Sequence, residues 1–320
     1  MIETKDYHRK ISLKKELEEV IEESRRRTVP NFYDEGVGEK IYVPVPGAEL
    51  RTFHHKPKQI TVKRPIVFIP GFGTTAEIWR EFHQTHHGFA EYFHIETREK
   101  KPCQLKRTRN TDLSLNRLAK DLTEVINFFG LSGQDYVLMA SCMTGGVVLR
   151  GLIEGYLDPP TTIILDPFTK WTQNRALIKY VMPLLPPAVL GALKYLLAKI
   201  ILGNMKNEQQ KQRNLATVES AVPWIWRKFS LQNINHDLTE DLKKIPKTVY
   251  IFHGPPDKYH PAGIFQQTAE RIPKGRFFHI DVQEEHREIL AGIIATAFAE
   301  ITKKEEIPEI FAPFEVELRR

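Results

Sequence analysis

The chain has 320 residues, 46 Lys and Arg against 40 Asp and Glu, a net charge of +6 and a hydrophobic content of 41%. Such a composition excludes a disordered or collagen-like chain and leaves length for a large core, in one big domain or two ordinary ones. Two cysteines, Cys103 and Cys142, are too few to staple a secreted framework, and the first residues lack the apolar run of a signal peptide, so a reducing cytoplasm is the expected compartment. The positive charge is thinly spread and reads as solubility; nothing beyond it supports nucleic-acid binding, and none is expected.

Residues 5–27 are dense in Lys, Glu and Arg, with Ile11, Leu13, Leu17, Val20 and Ile21 close to helical spacing, which predicts an amphipathic helix. Strands follow at 40–45, at 49–54 beyond the Pro46-Gly47 turn, and at 66–69. The pattern then alternates. Helical spacing from Thr75, a strand over 92–97, a helix over 115–129, a strand over 136–139 and a helix after Gly145 predict βαβ units and a parallel sheet. A strand at 161–165 ends in Asp166-Pro167, after which residues 168–244 read as helical. Alternation returns with strands at 248–252 and 276–281 and helices at 261–272 and 288–301. The expected division is a helical extension (1–37), an α/β core (38–167 and 245–307), a helical cap or lid insertion (168–244) and a C-terminal stretch (308–320) that reads as a short tail or an edge segment. The apolar run from Tyr180 to Leu202 is broken by Pro183, Pro186 and Pro187 and is too short to span a bilayer, which takes about 20 apolar residues. It reads as a cap packed on the core, or as a lid whose apolar face lines a greasy pocket or rests on a membrane surface.

The segment from Tyr136 to Arg150 carries a strand straight into a helix. A sharp strand-to-helix turn needs small residues two before and two after its apex. Around Cys142 these are Ala140 and Thr144; around Ser141 they are the bulky Met139 and Met143. The spacing puts Cys142 at the apex as nucleophile candidate and leaves Ser141 as the alternative. The helix start that follows, with its unpaired N–H groups, suits an anionic sulfur. The loop Pro70-Gly71-Phe72-Gly73 closes another strand and offers backbone N–H groups to an oxyanion. Asp257 lies just past a strand end and His286 just ahead of the last helix, with one helix and one strand between them, an interval that brings neighbouring strand ends together.

Nucleophile, acid and histidine in that chain order make the sequence resemble the α/β-hydrolase superfamily over about residues 40–303. The resemblance implies an α/β-hydrolase fold, a mostly parallel sheet flanked by helices with a helical cap insertion. It implies Cys142 as nucleophile, His286 as general base, Asp257 as its orienting acid, and the N–H groups of Phe72 and Met143 as oxyanion hole. Asp166 is the alternative acid, since some relatives recruit it from that strand end; it also suits a cap at the start of the insertion. Cysteine at the apex is similar to dienelactone hydrolases and polyhydroxyalkanoate synthases. The sequence departs from the family pattern at Ala140 and Thr144 in place of elbow glycines, at Pro70 where a His often stands, at Glu285 ahead of the His, and over 96–101, which lacks an Asp and glycines.

The expected activity is cleavage of an ester, thioester or lactone of a lipophilic acyl substrate through an acyl-thioester on Cys142. An acyltransferase using the same triad, and a non-catalytic member of the fold binding a ligand or touching a membrane through the cap, are the alternatives. No cofactor and no metal are expected: of His83, His86 and His87 only His83 and His87 stand at i, i+4, and the cluster reads as a solvated helix face. Arg98, Lys100, Lys101, Lys106, Arg107 and Arg109 read as an exposed loop, with a site for a phosphorylated carrier such as coenzyme A as the alternative, and Cys103 within it as a free surface thiol.

Overall fold

The computed structural model describes residues 2–171, 174–203, 208–254, 262–283, 286–301 and 305–319. Its chain order is α1 (Ile2–Arg26), β1 (Glu39–Val45), β2 (Ala48–His55), β3 (Ile66–Ile69), α2 (Arg80–Gln84), β4 (Tyr92–Ile95), β5 (Gln104–Leu105), α3 (Leu115–Phe128), β6 (Val137–Ser141), α4 (Met143–Ile153) and β7 (Thr161–Leu165). Then come α5 (Pro187–Gly203), α6 (Glu208–Ser220), α7 (Pro223–Asn233), β8 (Val249–His253), α8 (Ala262–Arg271), β9 (Gly275–His279), α9 (Arg287–Glu300) and β10 (Glu315–Val316).

One sheet runs β1-β2-β4-β3-β6-β7-β8-β9-β10, with β5 on the side of β2. Strands β3, β4, β6, β7, β8 and β9 are parallel, and β1, β2 and β10 add antiparallel edges. β3, β4, β6, β7 and β8 are buried along their whole length, so they read as continuous apolar or β-branched runs without alternation. Side chains of α3, α4 and α8 join one apolar cluster; those of α1, α2 and α9 join the other, across the sheet. Leu17 and Ile21 of α1, two of the residues on its expected stripe, are buried there.

Two expectations change and one is decided. Of the two readings of the C-terminal stretch, tail or edge segment, residues 308–319 fit the edge segment: Phe311 is fully buried and β10 pairs with β9, Glu315 opposite Phe278, to extend the sheet. Arg98 and Lys100 are internal braces and not part of an exposed basic loop. Both oxygens of buried Asp121 accept from the Arg98 guanidinium, whose Nη2 also donates to the Pro46 carbonyl at 3.0 Å. A phosphate site there loses two of its cations to internal pairing. Cys103 is buried rather than a surface thiol, its Sγ accepting from the Arg51 amide at 3.4 Å, and burial pushes that thiol far up from its ordinary range.

Buried neutral histidines set the acid limit of the fold. His94 is fully buried, and desolvation followed by the charges of Arg51 and Lys100 holds it well below its usual range. Burial and then the charge of Arg150 lower His236, stacked on Phe168 at 5.6 Å, to about 4. Both values lie below those of the unfolded chain, so this stability is present above about pH 6.5 and lost as the unfolded state takes up protons that the folded state refuses. Each of the two contributes a loss of about 1.4 kcal/mol per pH unit in that window. Denaturant titrations between pH 7 and pH 5 are expected to show a steep fall in stability, its slope smaller by about a quarter in His236→Gln, because burial lowers His83 and His86 as well.

Candidate active site

The C-terminal ends of the parallel strands are where an open α/β sheet places its chemistry, and β6 turns there into α4 at Cys142. Its backbone stands at φ 51°, ψ −120°, a region that L-residues avoid. Ser141, one residue earlier, is the last residue of β6 and is buried, so the structure puts the cysteine and not the serine at the apex. Four hydrogen bonds hold the turn. The Cys142 amide donates to the Leu165 carbonyl at 2.8 Å, the Phe168 amide donates to the Cys142 carbonyl at 3.0 Å, and Thr144 Oγ1 donates to the carbonyls of Ile69 and Ser141 at 2.9 and 2.8 Å. Thr144 thus fits in place of a glycine because its buried hydroxyl is satisfied and ties the elbow to β3.

The loop after β3 closes on this elbow. A Cβ on Gly71 would lie 3.2 Å from Ser141 Oγ and 3.4 Å from Cys142 Cβ, so glycine allows the approach. Phe72 follows, half-buried against Trp226 and Phe229 of α7 at ring-centroid distances of 5.2 and 4.6 Å. Ser220 Oγ donates to the Gly73 carbonyl at 2.7 Å, so the helical insertion grips the loop directly. Met143, the other expected oxyanion donor, opens α4, and its amide is among the first four that helix geometry leaves without an intrahelical acceptor. Sequence reasoning missed the loop's brace on the opposite side. The buried Lys100 ammonium donates to the Pro70 carbonyl at 3.2 Å, to Thr97 Oγ1 at 2.7 Å and to Glu99 Oε1 at 3.0 Å. Buried Glu96, bound to Arg51, accepts from the Ala76 amide at 2.8 Å. Segment 96–101 therefore supports the loop by charged pairs where the family pattern has an Asp and glycines.

Cys142 and Asp166 line one cleft of about 330 Å³, walled by Phe168, Leu242, Ile264 and Phe265, with Lys170 and Arg271 among its polar lining residues. Asp166 is itself at φ 47° and buried. Its Oδ1 accepts from His253 Nδ1 at 2.5 Å and its Oδ2 pairs with the Arg287 guanidinium. His253, at the end of β8, and Arg287, at the start of α9, were given no role by sequence reasoning; the only signal was that each adjoins a segment singled out for another residue. His286 caps α9, its amide donating to the Gln283 carbonyl at 2.9 Å. Its Nε2 is 2.8 Å from Arg25 Nη1 and 3.9 Å from Glu22 Oε1, so α1 reaches the expected general base. Asp257 lies outside the described residues. The structure thus brings together the elbow cysteine, the Gly71-Phe72 loop and Asp166, with Asp166 paired to Arg287, the residue beside His286.

Comparison with known proteins agrees with this geometry. The alpha/beta hydrolase family model matches residues 66–292. No curated protein sequence matches the chain. Among solved structures, an esterase from Exiguobacterium antarcticum superposes with a TM-score of 0.61 at 17% identity, over 83% of this chain and 100% of that one. A thermophilic esterase from Thermogutta terrifontis gives 0.58 at 17% identity, over 77% of this chain and 89% of the other. Est816, described as an N-acyl homoserine lactone degrading enzyme, gives 0.57 at 16% identity, over 78% and 95%. At these identities the likeness is one of fold. The family match over well more than half of the chain, on a sheet of the order described above, shows that the chain belongs to the alpha/beta hydrolase family.

Proposed function

We propose that the protein hydrolyses esters, with thioesters and lactones in the same class, by attack of Cys142 on the acyl carbonyl. The observation that carries the reading is the backbone of Cys142 at φ 51°, ψ −120° above a cleft with apolar walls. Such a conformation costs about 1–3 kcal/mol and is retained where it presents a reacting atom. In this reading His286 Nε2 exchanges the Arg25 guanidinium for the thiol and takes its proton as Sγ bonds to the carbonyl carbon, the N–H groups of Phe72 and Met143 receive the oxyanion, and the alkoxide or thiolate leaves with that proton. Water, deprotonated by His286, then cleaves the acyl-thioester. Each oxyanion donor supplies about 3 kcal/mol. Asp257 is assigned as the acid that fixes the imidazole, because both oxygens of Asp166 already serve His253 and Arg287.

A lipophilic acyl chain is the favoured substrate, presented at a membrane surface. Leu177, Tyr180, Leu184, Tyr195 and Leu196 of the insertion are all more than half exposed, with Lys179 and Lys194 beside the tyrosines. No single described helix is long and apolar enough to cross a bilayer, and the segments holding these residues are bent by 114° against each other, which suits contact with a surface.

The test is intact-mass analysis after mixing with short- and long-chain acyl esters and thioesters. The expected result is a single acyl adduct on Cys142 that decays to free acid, faster when long-chain substrate is carried in vesicles. Transfer to an added alcohol or thiol would make the protein an acyltransferase. Absence of any adduct, with Cys142 no more reactive to iodoacetamide than buried Cys103, would reduce it to a binding member of the fold.

A further inference from the structure

The histidines read above as a solvated helix face are not one. His83 and His86 are buried, His87 is half-buried, and His55 from the end of β2 comes to meet them. We infer that His55, His83 and His87 form a site for one divalent transition-metal ion of the zinc class, which clamps the end of α2 onto β2.

One nitrogen from each ring lies within 4.8 Å of the other two. Hydrogen bonds decide which nitrogens carry lone pairs. His55 Nδ1 is 2.8 Å from the Val37 carbonyl, which only accepts, so the proton is on Nδ1 and the lone pair on Nε2. That Nε2 is buried and has no hydrogen-bond partner among the described residues. Thr85 Oγ1 donates to the Phe82 carbonyl at 3.0 Å, so it accepts from His86 Nδ1 at 3.2 Å. His86 Nε2 is then an acceptor, and His83 Nδ1 donates to it at 3.3 Å. His83 Nε2 therefore carries a lone pair and accepts from His87 Nδ1 at 2.7 Å, a hydrogen bond that an ion replaces as the His87 proton moves to Nε2.

Protein-held N–H groups behind two of the three imidazoles are what orients histidines as metal ligands, because they fix the tautomer and the ring plane. A tetrahedral shell with Zn–N bonds of about 2.0–2.1 Å sets the nitrogens about 3.4 Å apart. The His83–His87 pair therefore opens by about 0.7 Å. Phe32 and Tyr92, with ring centroids 5.2 and 5.3 Å from His83, keep the inner side dry. The half-exposed side at His87 gives water the fourth position. Imidazole nitrogens with no thiolate and no carboxylate suit Zn²⁺, Co²⁺, Ni²⁺ or Cu²⁺ over Mg²⁺ or Ca²⁺.

The position argues for a structural ion. His55 pairs with Tyr92, Tyr92 with Ile66 and Ile66 with Val137, all at the starts of the parallel strands, whereas Cys142 follows the far end of β6. The ion is separated from the elbow by the length of the sheet. It joins β2 and α2 to the end of α1, whose Arg27 donates to the carbonyls of Thr85 and His87 at 3.2 Å.

The test uses the untagged full chain, stripped by a chelator and desalted, with Zn²⁺ followed by calorimetry and Co²⁺ by visible absorption. The expected result is one ion per chain, a raised melting temperature, and Co²⁺ d–d bands of four- or five-coordinate strength without a thiolate charge-transfer band. His87→Ala, at the half-exposed edge, and His55→Gln each weaken binding by at least about 100-fold, while Cys142→Ser leaves it unchanged. The melting temperature of metal-free His87→Ala, measured against metal-free wild type, reports that the variant is folded; if His55→Gln does not fold, His87→Ala decides alone. No saturable binding to the wild type, or binding undiminished by His87→Ala, overturns the site.

Discussion

Cys142→Ala is expected to lower ester turnover by about 10⁴- to 10⁶-fold, the range seen when a nucleophile is removed and only oxyanion donors and binding remain. The fold survives, because the bonds that shape the elbow run through the Cys142 backbone, through Thr144 Oγ1 and through the Phe168 amide, none of which needs the thiol. Cys142→Gly sharpens the experiment. At φ 51° and ψ −120° a glycine has no Cβ to crowd the chain, so this variant is expected to be as inactive as the alanine yet more stable, by about 1 kcal/mol or more once strain relief is set against the extra freedom of unfolded glycine. Single-turnover kinetics with a chromogenic ester and denaturant unfolding read the two quantities separately. An alanine variant with more than a tenth of wild-type turnover would remove Cys142 from the chemistry, and a glycine variant less stable than wild type would remove the strain argument. Cys142→Ser distinguishes nucleophile identity from elbow geometry: residual acylation on the serine keeps the elbow as the reacting position.

The elbow was legible in the sequence because local size decides it. Ala140 and Thr144 flank Cys142 with small side chains, Met139 and Met143 flank Ser141 with large ones, and the turn forms where the small pair allows. The parallel sheet followed from the alternation of strands and helices. The parts that were not legible depend on partners distant in the chain. Arg98 reads as one more cation in a basic run until Asp121, on α3, is placed beside it; Lys100 reads as exposed until Pro70 and Glu99 converge on its ammonium. His83 and His87 have helical spacing, but what makes them a cluster is His55, which arrives on a strand 28 positions before His83 and carries no motif of its own. The pairing of Asp166 with His253 was hidden similarly, since parallel neighbours β7 and β8 are separated by the whole insertion.

Gly146→Ala is expected to be the most damaging single-methyl change near the site. A Cβ there would sit 2.1 Å from the Phe168 carbonyl oxygen and 3.2 Å from its carbon, well inside contact distance, and the obstacle is backbone that cannot rotate away. Alanine would gain about 1 kcal/mol in helix propensity over glycine in α4. Against this, the segment after β7 must move outward, and overpacking of this kind costs typically 1–3 kcal/mol and more where backbone is displaced. A net loss of about 2–3 kcal/mol is expected. Gly145→Ala is the control: its Cβ would approach Ile164 Cγ2 at 2.4 Å, the branch methyl of a stiff, fully buried side chain, so a comparable loss of stability is expected, but from a contact with β7 and not with Phe168. The two variants should separate in activity. Phe168 is the residue whose amide holds the Cys142 carbonyl, and it adjoins Pro167 and Asp166 in the cleft wall, so pushing it out loosens the turn that aims Sγ as well as the pocket beside it. Turnover at saturating ester is expected to fall by at least about 100-fold in Gly146→Ala, since a displacement near 1 Å at a reacting group costs that much. In Gly145→Ala it is expected to remain within about tenfold of wild type, with KM little changed. Equal losses of turnover in the two variants would show that the Phe168 contact does not position the elbow.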